Sequence, residues 1–330
     1  MAVPPQTALT YSFNTIREDL SDFVYKISPL ETPCMQAVGR KGKFKNTYHE
    51  WPVVELAAAN GNNAAIEGND TPNDNPTVAT RHGNYSQIMT KTKGVSSTDE
   101  MVDGAGQVQK MAKQVLYAAQ ELKRDMEARL AGPGSMIASA GVALTGARNT
   151  ASIAAFIGTT GGGNANRGTG GTNGALSGGA NGYPNTAPGA GTARVLDAPS
   201  EAGIFKPVIQ QMWTNGGKPD FVLCPPTYKT SISAYTGNAT RFKKAEDKKL
   251  IAAIDVYDSD FGEVQIVPDR FMDPHQVIIL DRSLVEVGYL QGMRNEPLAK
   301  TGLSFRRLIS VEWGVVVGAE KGLGLIADLT

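Results

Sequence analysis

The run GTTGGGNANRGTGG, residues 158 to 171, is the most conspicuous candidate for chemistry in this chain. Glycine-rich loops cradle phosphates with their backbone amides, but the nucleotide-binding form needs a lysine in G-x-x-x-x-G-K-[ST] to reach the terminal phosphates. No lysine lies between Lys123 and Lys206, and no G-x-G-x-x-G triple occurs. The run also fails to open a helix directly after a strand, so phosphate binding is set aside. His49-Glu50-Trp51 begins like a zinc-binding H-E-x-x-H, yet the second histidine is missing and the segment reads as a strand. His49 and His82 are expected to face solvent or a partner, and His275 stands apart from both. Asp258 and Asp260 sit beside Gly262 and read as hairpin chemistry rather than a calcium loop. Asn84 and Asn238 head N-x-[ST] triplets that carry no weight without a secretory signal. In RFKKAEDKK, residues 241 to 249, basic residues are diluted by two acids. A solvated helix face accounts for it; the alternative is non-specific contact with nucleic acid through Arg241, Lys243 and Lys244. No catalytic, metal or cofactor constellation is expected.

The elements around these residues are clearer than the chemistry. Residues 1 to 15 lack periodicity and read as an extended arm, followed by a short helical piece broken by Pro29 and Pro33. KFKNTYHEWPVVEL (43 to 56) and TRHGNYSQIMTKTKGVSST (80 to 98) alternate with a period of two, with turn residues between them. They predict a long two-stranded excursion with a wide tip. A lone ribbon is marginal in water, and no second sheet is evident to cover it, so it should rest on something else. Val108, Met111, Val115, Ala119, Leu122, Met126 and Leu130 recur at helical steps and predict a helix over 103 to 130, with Asp103 able to cap it and Gly132-Pro133-Gly134 ending it. Residues 158 to 191 hold 13 glycines and one charge, Arg167. They read as a long connector or surface loop inside one fold. Helices are expected over 199 to 217 and from Pro226 to Gly237, flanking a buried strand at FVLCP; EVQIVPD, HQVIILD, LVEVGYL, LSFRRLISVEWGVVVGAEKG and LGLIADL are strands. This order favours an α+β fold.

Composition narrows the function classes. The chain has 330 residues, 41% hydrophobic and 19% charged, enough for a packed core. Lys plus Arg equals Asp plus Glu, 32 against 32, so no long-range field draws it to nucleic acid or anionic lipid. Cys34 and Cys224 are read as two buried reduced thiols. The N-terminal residues show no secretion signal, no window reaches a membrane span, and the expected compartment is cytoplasmic.

Three stretches carry a resemblance: Glu18 to Trp51, Gly216 to Gly237, and Val267 to Gly302. Together with the arm, the excursion and the long helix, they resemble the major capsid (major head) proteins of tailed bacteriophages, which have the Hong Kong 97 phage capsid fold. The resemblance implies an N-arm over 1–38, an extended loop over 39–101 laid on a neighbouring subunit, and a peripheral domain with a spine helix over 102–150. It implies an axial domain over 151–302, with 158–191 as a glycine-rich insertion, and return strands to the peripheral domain over 303–330. Contacts between copies are expected at Tyr48, Trp51, Tyr85 and Met89. The implied function is self-assembly through pentamers and hexamers into the icosahedral head of a virion, enclosing double-stranded DNA and built in the host bacterial cytoplasm. Implied partners are the chain itself, a portal, and separate scaffolding or decoration proteins, with no membrane. The rival readings are an encapsulin-type nanocompartment shell, a tail tube, and an enzyme with an unrecognised site.

Overall fold

The computed structural model describes residues 26–68, 70, 74–102, 109–142, 146–158, 171–197, 200–235 and 256–330. Most of the expected arm, Asp103, Asn238, Gly237 and the basic stretch with Arg241, Lys243 and Lys244 lie outside these. Among the described residues the strands form three sheets.

The first sheet has the order β1-β11-β12-β4. It consists of β1 (Gly39–Arg40), β4 (Gln87–Ser96), β11 (Val285–Pro297) and β12 (Ser304–Val317). Along β4, Gln87, Met89, Lys91, Lys93 and Val95 turn inward while their neighbours are exposed, the alternation that the sequence pattern demands. The long helix α3 (Lys110–Leu130) packs on β4 and β12. Its Ala118, Leu122, Met126 and Leu130 are buried at steps of four, so one stripe faces the sheet. Lys91–Asp125 (2.7 Å) and Lys93–Glu121 (2.9 Å) bridge helix and strand at its edge. Phe44 locks the other side. Its ring lies over Gly288 and Gly314, which pair across β11 and β12 and have no side chain to obstruct it.

The second sheet has the order β13-β10-β7-β9-β8. Its strands are β7 (Phe221–Cys224), β8 (Val256–Ser259), β9 (Gly262–Pro268), β10 (Val277–Leu280) and β13 (Gly324–Ile326). FVLC and VIIL are buried on both faces, which explains their unbroken apolar runs. Helices α5 (Lys206–Thr214) and α6 (Pro226–Ser233) pack on it. Phe205, Ile209 and Met212 join Val222, Ile279 and Ile326 in its core. Asp258 and Asp260 lie in the β8–β9 hairpin closed at Ser259 and Gly262, as their turn chemistry implied.

The third sheet differs from expectation. Strand β2 (Tyr48–Val53) pairs antiparallel with β3 (Thr80–Tyr85), but the ribbon does not stand alone. The glycine-rich segment supplies a hairpin, β5 (Ala175–Gly178) and β6 (Asn181–Thr186), and β6 pairs parallel with β3 at His82 and Gly182. Residues 175 to 186 are thus a sheet hairpin, not a surface loop. The TRHGNYSQIMTKTKGVSST stretch also breaks into two strands at Ser86, one for each sheet.

Two further boundaries move. Strand β11 pairs with β12 and so belongs with the helix-backed sheet, not with the segment 151–302. Beyond β12, β13 joins the five-stranded sheet through β10, so only part of 303–330 returns to the first sheet. Pro33 opens a short helix, α1 (Pro33–Ala37), because the missing N–H is no loss in a first turn.

Candidate assembly surfaces

The ribbon has a base and a tip, and they are built differently. At the base Trp51 is 5% exposed and packs on Phe156, with ring centroids 5.9 Å apart. Tyr48 and Tyr85 are half-buried, 4.7 Å apart, and Tyr183 of β6 meets Tyr85 edge-on at 4.9 Å. Met89 points inward and packs against the main core. Trp51, expected at a contact between copies, is therefore spent inside its own subunit, because a large ring on the sheet-facing side has a core to fill. His82 is buried and His49 stacks on Phe44 at 4.5 Å, so neither faces open solvent as expected; burial holds both imidazoles below their ordinary pKa.

Polar groups fasten the base as firmly as the rings. Asn84 is buried; its side chain donates to the Val315 carbonyl (2.9 Å) and accepts the N–H groups of Tyr85 (2.9 Å) and Ala151 (3.0 Å). It ties β3 to β12 and is closed to glycosylation. Next to it, Ser86 donates to Glu312 (2.7 Å), which Arg148 also meets at 2.6 Å.

From Val54 to Ala79 the character reverses. Every described residue of this tip is exposed, and none belongs to a helix or strand. Val54, Leu56, Ile66 and Val78 are 56%, 85%, 76% and 77% exposed, with little cover from the other described residues. Glu55, Glu67, Asp70 and Asp74 are its charges, and it contains no lysine or arginine. Its root is pinned by the Lys321–Glu55 ion pair at 2.6 Å. The tip thus carries four large aliphatic side chains and no base among its turn residues.

Two other surfaces have complementary character. One is a groove of about 570 Å³ between α1, β1, α3 and β11. Met35, Met126, Tyr289 and Met293 line it, with Arg40 and Lys123 alongside. The other lies at the free end of the β11–β12 hairpin, a cavity of about 430 Å³ bordered by Leu298, Lys300, Phe305 and Arg307. Beyond it Leu303 and Met101 stand almost wholly in solvent. Apolar surface rimmed by charge is the ordinary composition of a protein–protein contact. No group of three or more metal-ligating side chains occurs among the described residues, and no described helix is long and apolar enough to cross a membrane. Cys34 and Cys224 are both free and buried, as expected.

Solved capsid structures share this fold. The chain superposes on the capsid asymmetric unit of cyanophage A-1(L) with a TM-score of 0.66 at 12% identity, covering 97% of this chain and 98% of that one. The capsid structure of cyanophage P-SCSP1u gives 0.61 at 10% identity, covering 96% and 93%. Together with the mixed helices and strands, this defines the class: an α+β phage capsid fold of the Hong Kong 97 type. The SU10 major capsid protein model matches residues 5–330, so the chain belongs to that family. The major capsid protein of Escherichia phage Phieco32 is similar to it at 24% identity over 335 residues, 94% of each chain. A phage major capsid protein is thereby favoured over the nanocompartment and tail-tube alternatives.

Proposed function

We propose that this chain builds an icosahedral phage head by laying the tip, residues 54–79, on an adjacent copy. The supporting observation is the reversal of burial within one hairpin: the base is packed into its own subunit, and the tip has aliphatic groups left exposed by the described residues of that subunit. Burying them contributes about 25 cal/mol per Å² of apolar area, repeated at every contact around a ring. The acids of the tip favour the cationic groove or the β11–β12 end of the next copy as a landing place. Five- and six-membered rings then close by head-to-tail contacts, and many modest contacts act together. Neutral net charge limits repulsion between hundreds of copies at close range. The head encloses double-stranded DNA, with Arg241, Lys243 and Lys244 as non-specific phosphate contacts and a portal at one vertex; scaffolding or decoration comes from separate chains.

The test is a deletion of residues 56 to 77 with a short glycine-serine bridge. The expected result is a folded, soluble subunit that forms no shells by negative-stain microscopy. Normal shells from this variant would contradict the reading.

A further inference from the structure

Glu127 stands on the sheet-facing side of α3, fully buried. Its two oxygens accept the N–H groups of Cys34 (2.6 Å) and Met35 (2.9 Å), in the first turn of α1. Within hydrogen-bond reach on another side is Asp269, 1% exposed, in the turn that follows β9. Asp269 accepts the Phe271 N–H on Oδ1 (2.9 Å), while its Oδ2 is buried and has no protein donor. Two adjoining carboxylates cannot both be ionised in such a place without a compensating cation.

Among the described residues, no cation forms an ion pair with either carboxylate. From α3, Arg124 lies over the Phe271 ring, 5.7 Å from its centroid. From α6, Lys229 donates to the Ile266 carbonyl at 2.8 Å. The remaining titratable groups facing the pair are thiols, Cys34 of α1 and Cys224 of β7, whose carbonyl accepts the Asp269 N–H at 2.9 Å.

We infer that Glu127 and Asp269 share one proton, and that this proton clasps the helix-backed sheet and the α1 segment to the five-stranded sheet. The orphaned Oδ2 of Asp269 is the acceptor that a proton on Glu127 satisfies. Removing the proton leaves two facing negative charges at the joint between the two units, and their repulsion drives α3 and the Asp269 turn apart. The joint is therefore tight at acidic and neutral pH and loosened at alkaline pH.

The direction of the pH effect follows. Burial, then the charge of Asp269, raises the Glu127 pKa from 4.5 to about 8, and burial also raises that of Asp269. A carboxyl with a raised folded-state pKa binds a proton that the unfolded chain has already released. Its stabilisation is complete below the unfolded value, declines as pH rises through the window between about 4.5 and about 8, and is gone above it.

The experiment compares the full-length protein with Asp269→Asn, whose amide donates to Glu127 without needing a titratable proton. Wild type is expected to lose several degrees of Tm across that window and Asp269→Asn much less. Exchange of the Cys34 and Met35 amides should rise with pH beyond its intrinsic trend in wild type only. An equal slope in folded Asp269→Asn overturns the inference. A second measurement needs no variant: infrared spectra of wild type labelled with carbon-13 glutamate should show a protonated carboxylic acid band near neutrality that disappears at alkaline pH. Its absence near neutrality overturns the inference too.

Discussion

The base and the tip of one β-hairpin obey opposite rules. At the base, alternation puts Trp51, His82 and Asn84 inward, and each finds a partner in its own subunit or fills its core. At the tip, Leu56, Ile66 and Val78 stand exposed, with little cover among the described residues. The base is specified by its own subunit, so its residues answer chiefly to packing density, and the buried ring nitrogens of Trp51 and His82 are left without a hydrogen-bond partner among the described residues. The described residues of the tip are not so specified, since their aliphatic side chains stand exposed. Large aromatics therefore mark the first region and small exposed aliphatics the second.

Three substitutions in this hairpin sharpen the contrast. Trp51→Ala removes a buried ring and should destabilise the isolated subunit by about 3–5 kcal/mol, read by denaturant unfolding. Asn84→Ala leaves the Val315 carbonyl and the Ala151 N–H without their partner and should cost about 1–3 kcal/mol in the same assay. Ile66→Asp should change subunit stability by less than about 0.5 kcal/mol yet impair shell formation, followed by light scattering. A large loss of subunit stability in Ile66→Asp, or a negligible one in Trp51→Ala, would erase the distinction.

Regular elements were legible in the sequence wherever one face is buried. The stripe on α3, the alternation in β4 and the unbroken apolar runs of β7 and β10 all read directly, because each follows from a single periodicity. In the third sheet the β2–β3 ribbon was legible, and the hairpin that covers its edge was not. Its strands β5 and β6 are read from ALSG and NGYPNT, which carry little β-propensity and owe their pairing to the β3 edge and to Tyr183. The ownership of β11 and β13 was hidden for a similar reason: a strand's own sequence does not reveal its neighbour. Sequence reasoning placed a contact between copies on Trp51, and the core of its own subunit has prior use for that ring. The Glu127–Asp269 pair was invisible, since its members lie far apart in the chain and only the fold brings them together.

Amide hydrogen exchange of the tip, measured on the free subunit and on the assembled shell, tests the central claim most directly. Residues 54–79 should exchange near the unprotected rate in the free subunit and become protected in the shell, while β2 and β3 are protected in both. Protection of the tip in the free subunit, or none in the shell, would contradict the account.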